Sequence, residues 1–418
     1  MPMPRFALFF LWLAILIPNA AGAAILAGWS QYGAGGVIEA RIVTDDPACP
    51  ALIADGASLP MAERSSPGEA FPVRVCVASL PKGTRTASAA GRTLPVPIAR
   101  PRHIVLLGDT GCRLKDKLIQ ACNDENAWPF RKIAEHAAGE HPDLVIHVGD
   151  YLYRETPCPP DDARCAGTPT GDNWPTWQAD FFSPGASLLG AAVWLAERGN
   201  HEDCHRAGIG WTALLGRAPI TLPCIRREKP LLVDLGGVRL ALLDDNDAAD
   251  KEGAIPEVAE ALRQDLAAML AGKPNWIVTH HPFRGVSHLL SKDGVAKLQG
   301  ANDTLLAALQ GVDESSLSLL LAGHIHNFQI ENFLPPLAPQ MVVGEGGDRL
   351  DPDVPPQLTG LVSGGAKITD GLSLPGFGYV VIDRIGESQD WTIAVHDADG
   401  KILRHCSLKA RKLACEKS

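Results

Sequence analysis

Five short segments of the chain carry side chains that could bind cations. They are Gly108-Asp109-Thr110-Gly111, Gly149-Asp150-Tyr151-Leu152-Tyr153, Gly199-Asn200-His201-Glu202, His280-His281-Pro282 and Gly323-His324-Ile325-His326. Carboxylates, an amide, imidazoles and a phenol are donors for hard and borderline metal ions. Singly, each segment is ordinary turn chemistry, since glycine-aspartate after a strand is common and most histidines are structural. Together they differ, because each follows an apolar run of buried-strand type, and four of the five contain a glycine that lets backbone turn sharply and approach closely.

Those runs are His103–Leu107, Asp143–His147, Val193–Ala196, Trp276–Thr279 and Leu317–Ala322. Ligands gather at the carboxyl ends of strands in open α/β sheets, so the five turns can converge on one site. Helical patterns separate some strands: Phe130 to Ala138, and Pro256 to Ala271 with Gly272 just past its end. Leu231 to Leu243 reads as two strands joined at Gly236-Gly237. Strands, helices and hairpins in this order imply a mixed, layered α/β domain over residues 101–418. Residues 24–100 are strand-like and turn-rich, with Val37–Val43 and Phe71–Val77 alternating as half-buried strands. Pro95, Pro97 and Pro101 then mark a linker, and a small N-terminal β-sandwich is expected before it.

The first 23 residues read as a cleaved signal peptide. Arg5 precedes the apolar stretch Phe6–Ile17, Pro18 breaks it, and Ala21-Gly22-Ala23 offers a cleavage site. The stretch is shorter than the ~20 residues a membrane helix needs, so no span is expected in the mature protein, which would be periplasmic or secreted. Ten cysteines then read as loop-stapling disulfides between near neighbours: Cys49–Cys76, Cys112–Cys122, Cys158–Cys165, Cys204–Cys224 and Cys406–Cys415. None has the C-x-x-C spacing of a zinc site. A net charge of −10 over 418 residues, without a long basic run, argues against a nucleic-acid partner. There is no G-x-S-x-G elbow and no P-loop. The acidic run Asp244-Asp245-Asn246-Asp247 lacks the glycine and distal glutamate of an EF-hand and reads as a solvated loop, as do Asp351 and Asp353.

The order of the five blocks resembles the calcineurin-like metallophosphoesterase superfamily, over about Arg102 to Tyr379. Within it the chain looks most like the purple acid phosphatases, whose second block, GDxxY, is matched by Gly149, Asp150 and Tyr153. The resemblance implies an α/β fold, a four-layer α/β/β/α sandwich with the small β-sandwich before it. It also implies two metal positions. Asp109, Asp150, Tyr153 and His326 would hold the first; Asp150, Asn200, His280 and His324 the second, with the Asp150 carboxylate shared. His281 could substitute for His280, though the family pattern puts the ligand first, ahead of x-Pro.

Many relatives carry GDxH in the first block; here that histidine position is Gly111, and Tyr153 is where purple acid phosphatases supply the missing donor. A phenol of pKa ~10 ionises at neutral pH only beside a strong cation. Ferric iron with a divalent partner (zinc, ferrous iron or manganese) is therefore expected, and such a pair outweighs the three anionic ligands. Tyr151 points elsewhere by alternation and reads as packing. The implied reaction is in-line attack of a metal-bound hydroxide on a small phosphate monoester. His201 contacts the phosphate or serves as general acid, and Arg113 clamps a substrate oxygen. Glu202 and Asp203 are candidates to orient His201. The metal blocks leave two rivals open: a phosphodiesterase of the same superfamily, and a non-catalytic, metal-stabilised binding protein. Substrate choice is expected in loops such as Asp161–Phe182 and Ala248–Ala254.

Overall fold

His103–Leu107, Leu144–His147 and Val193–Ala196 lie side by side as parallel strands. Ile104, Leu106, Leu144, Ile146 and Leu195 face one way, and Val105, Leu107, Val145 and Trp194 the other. Both faces are covered, which is why these segments read as unbroken apolar runs. They form the centre of an eleven-stranded sheet. A seven-stranded sheet has its own parallel centre in Arg239–Leu242, Trp276–Val278, Leu319–Ala322 and Gln340–Val343. The computed structural model describes residues 24–250, 253–290, 296–299, 302–351 and 353–416; the expected leader, residues 1–23, lies outside them.

The two sheets pack face to face. Ile104, Leu106 and Ile146 of the larger meet Leu240, Val278 and Leu321 of the smaller in one buried cluster. Each outer face is closed by helix. Phe130–Gly139 covers the larger sheet with Phe130, Ile133, Ala134 and Ala137, spaced to share one stripe. Pro256–Ala271 covers the smaller with Val258, Leu262, Leu266 and Met269, beginning on a proline and ending against Gly272. The arrangement is the four-layer α/β/β/α sandwich expected from the sequence.

Ile25–Tyr32 pairs in parallel with Val193–Ala196 through Gln31 and Trp194, so the N-terminal β-rich segment continues the larger sheet. Four short strands, Ala51–Ala54, Ala57–Pro60, Ala87–Ala89 and Arg92–Leu94, form a second small sheet. It packs over Ile38–Thr44 through Leu52, Ala89 and Leu94 against Ala40 and Ile42. The cysteines pair as Cys49–Cys76, Cys112–Cys122, Cys158–Cys165, Cys204–Cys224 and Cys406–Cys415. Among the described residues no helix is long and apolar enough to cross a membrane.

One expectation fails. The run Asp244–Asn246 is not a solvated loop: Asp244 and Asp245 are fully buried and Asn246 nearly so. The strand Arg239–Leu242 ends at this point, so these carboxylates enter the interior to bind backbone and cations that the fold leaves there. Asp244 accepts from the Glu228 amide (2.8 Å) and sits 3.5 Å from Arg198; Asp245 takes the amides of His280 (3.1 Å) and His281 (3.0 Å). Asp351 is half-buried and accepts from the His326 amide at 3.3 Å.

Candidate metal centre

The carboxyl ends of strands from both sheets open on one point. Asp109, Asp150 and His324, each just past its strand, take left-handed φ of 57°, 61° and 69°. Non-glycine residues adopt that conformation rarely, and it clusters at functional sites. It folds each side chain back across its strand end. Gly199 permits the closest approach: a Cβ there would overlap the Asp150 carboxylate and backbone nitrogen.

Tyr153 joins the first group. Its hydroxyl lies 3.0 Å from Asp109 Oδ1, 2.6 Å from Asp150 Oδ2 and 3.2 Å from His326 Nε2. Its ring occupies the room a side chain at position 111 would need. A Cβ on Gly111 would stand 2.9 Å from Tyr153 Cδ2 and 2.8 Å from both the Tyr151 carbonyl and Asp180. Asp180 in turn accepts the Tyr153 amide (2.8 Å) and the Cys112 amide (2.9 Å), holding both blocks in place. His326 Nδ1 donates to the Arg349 carbonyl at 2.7 Å, which directs Nε2 at Asp109 Oδ1, 3.4 Å away.

The second group meets Asp150 at the same oxygen, Oδ2. His280 Nδ1 donates to the Val148 carbonyl (2.9 Å), leaving Nε2 3.0 Å from Asn200 Oδ1 and 3.2 Å from Asp150 Oδ2. Asp150, His280 and His324 bring their donor atoms within 4.8 Å of one another. The Asn200 oxygen thus faces only acceptors. Turned over, the amide would donate to His280 Nε2 (3.0 Å) and Asp150 Oδ2 (3.3 Å); the oxygen-inward orientation is the one a cation requires.

Electrostatics agree that this cluster calls for positive charge. At His280 burial alone would lower the imidazole, but Asp150 outweighs it and lifts the group to about 9. At His326 burial is likewise outweighed, by Asp348 and Asp109, and the group rises to about 10. In the bare protein, protons stand where a metal's charge would be. Burial, with Asp109 and Asp150 adding to it, holds the Tyr153 phenol well above its ordinary range. The donor set fits a dinuclear centre with one position rich in oxygen and one rich in imidazole.

The family profile for calcineurin-like phosphoesterases matches residues 102–328, more than half of the chain. The chain belongs to the calcineurin-like phosphoesterase family. Two solved structures share the fold of this phosphoesterase. One is the purple acid phosphatase PPD1 isolated from yellow lupin (Lupinus luteus) seeds, 15% identical, covering 91% of this chain and 73% of that one with a TM-score of 0.56. The other is PhoD, 11% identical, covering 94% and 92% with a TM-score of 0.53. No curated protein matches the chain by sequence.

Beside the proposed ligands lies a cleft of about 170 Å³ lined by Arg113, Lys115, Asn200, His201, Arg206 and Asp250, among others. His201 packs on the Tyr153 ring with centroids 3.8 Å apart. Its Nδ1 is 2.7 Å from Glu155, and Arg206 lies 2.8 and 2.6 Å from its two nitrogens. Burial pushes His201 down to about 3; Asp150 works against this and Arg206 with it. Arg113 is paired with Asp348 and sits 4.7 Å above the Tyr153 ring, at the rim of the cleft. Glu202 does not reach His201. It accepts the amides of Asp150, Tyr151, Leu152 and Gly199, bracing the backbone of two blocks. Tyr151 is buried on His147 and donates to the Glu197 carbonyl at 2.9 Å.

Residues outside the five blocks also surround the phosphoesterase site. Asp245 and Asp348 each follow a strand of the smaller sheet, Arg239–Leu242 and Gln340–Val343. Asp348 even follows Gly346-Gly347, the same glycine-then-donor pattern as the recognised blocks. That signal was available. Glu155 carried none, because 46 positions of chain separate it from His201, and Arg206, five residues after His201, matches no motif.

Proposed function

We propose that the chain is a periplasmic or secreted dimetal phosphatase that hydrolyses phosphate monoesters. The observation that carries the reading is the convergence of Asp109, Asp150 and His326 on the Tyr153 hydroxyl, with His280 meeting the same Asp150 oxygen and gathering with Asn200 and His324. Asp109, Asp150, Tyr153 and His326 would hold a hard trivalent ion, ferric iron. Asp150, Asn200, His280 and His324 would hold a divalent one, zinc, ferrous iron or manganese. When bound, the two ions supply Lewis-acid charge and activate water.

The protein's own groups do the rest. His201 is buried, held by Glu155 and Arg206, and faces the cleft. With Nδ1 held by Glu155, a hydrogen bond from Nε2 to a phosphoryl oxygen is made by the protonated ring, a state that burial disfavours in the free protein and that the substrate's negative charge would favour. Arg113, Lys115 and Arg206 add cationic character to the rim, where positioning and electrostatics govern phosphoryl transfer. The small volume and three basic groups favour a dianionic monoester over a bulkier monoanionic diester. The disulfides support an oxidising compartment. Parallel assays with an aryl phosphate and its bis-aryl diester test the preference: faster turnover of the monoester supports it, and faster turnover of the diester replaces it with a phosphodiesterase.

A further inference from the structure

A second cluster adjoins the site on its solvent side. His281 Nε2 and His324 Nε2 lie 3.4 and 3.3 Å from Asp250 Oδ1. The three residues place their donor atoms within 4.8 Å of one another. His281 is fully buried, and among the described residues its Nε2 makes no hydrogen bond. Its other nitrogen is committed: Nδ1 lies 3.2 Å from Asp245 Oδ2, which also accepts the His281 amide at 3.0 Å. A carboxylate that fixes one imidazole nitrogen and aims the other is the usual backing of a histidine metal ligand.

The spacing has a second meaning. Separations of 3.3 and 3.4 Å are long for hydrogen bonds, which favour about 2.7–3.2 Å. They match the edge of a tetrahedron whose metal–ligand bonds are about 2.0–2.1 Å, since that edge is roughly 3.3–3.4 Å. Among the described residues, Asp250's other polar neighbours are weak: Asn200 Nδ2 and Asn302 Nδ2 each stand 3.4 Å away.

We infer that Asp250, His281 and His324 form a further divalent-cation site of zinc type, separate from the two positions around Asp150. Two imidazoles and one carboxylate with an open fourth position suit zinc. Asp250 is the exposed member, so the site fills from solvent. His324 belongs to both clusters, and the inference rests on the dinuclear reading only through that residue.

The test is zinc stoichiometry by equilibrium dialysis and elemental analysis of the full-length protein, in the wild type, Asp250→Asn and His281→Gln. A parallel cobalt titration reads ligand geometry by visible absorption. The wild type is expected to bind one more equivalent than either variant, or to bind its last equivalent at least tenfold more tightly, with tetrahedral cobalt bands that both variants lack. Equal stoichiometry and equal bands in all three overturn the inference. Asp250→Asn alters an exposed side chain and decides the matter should His281→Gln fail to fold. The difference between proteins tests the outer site, whereas the number of ions Asp250→Asn retains tests the dinuclear reading.

Discussion

The two sheets contribute unlike chemistry to one site. The larger sheet ends in oxygen donors: Asp109 after His103–Leu107, Asp150 and Tyr153 after Leu144–His147, and Asn200 after Val193–Ala196. The smaller ends in imidazoles: His280 and His281 after Trp276–Val278, and His324 and His326 after Leu319–Ala322. Neither wall is a metal site alone. The carboxylate wall is buried, its Asp150 raises the His280 imidazole of the other wall, and packing of Ile104, Leu106 and Ile146 against Leu240, Val278 and Leu321 brings them together. The difference teaches where asymmetry between the two proposed metal positions would originate. It would be inherited from the sheet each proposed ligand hangs on, with His326 the one imidazole that crosses to the oxygen-rich side.

Removing the shared carboxylate is the most severe way to break this division. Asp150→Asn should lose both ions by elemental analysis and lower kcat/KM by at least ~10³-fold, the scale of deleting a key electrostatic stabiliser. Retention of either ion at full occupancy would show that Asp150 is not shared. His280→Ala attacks the imidazole wall alone. It should lose the divalent ion, keep the other, and lose on the order of 10²–10³ in rate. Loss of both ions together would erase the distinction between walls. Gly111→Ala tests the oxygen wall by crowding. Its methyl group meets Tyr153, Asp180 and the Tyr151 carbonyl, so stability should fall by about 1–3 kcal/mol in a denaturant titration, with a shifted visible spectrum.

The smallest effect lies away from the site. Glu331, in the Phe328–Asn332 strand of the smaller sheet, is raised to about 8 by burial, against the Gln340 hydrogen bond and Arg284. A folded pKa above the unfolded value means the native state holds a proton the unfolded state releases. The associated stability is present below about 4.5 and lost as pH rises through about 8. Glu331→Gln should therefore flatten the decline of Tm between pH 5 and 8, and an unchanged slope would place that dependence elsewhere.

Much of this was legible in the chain itself. Gly-Asp, Gly-Asn-His and Gly-His-x-His after apolar runs are local patterns, and strand ends bring local patterns together. Helix Pro256–Ala271 was equally plain from its proline, its apolar stripe and Gly272. The buried Asp244 and Asp245 were misread because composition says nothing about depth: a run of acids resembles a solvated loop until a strand end carries it inside. Asp250 and Glu155 act on histidines far away in sequence, so only the folded geometry pairs them.

The central claim is that a phenol completes the oxygen-rich position because position 111 has no side chain to offer. Visible absorption together with metal analysis, on protein purified without chelator, tests it most directly in the wild type and in Tyr153→Phe. The account predicts iron in the wild type with a tyrosinate-to-iron charge-transfer band, and loss of that band in Tyr153→Phe. A colourless, iron-free but active wild type, or a band that survives the substitution, would contradict it.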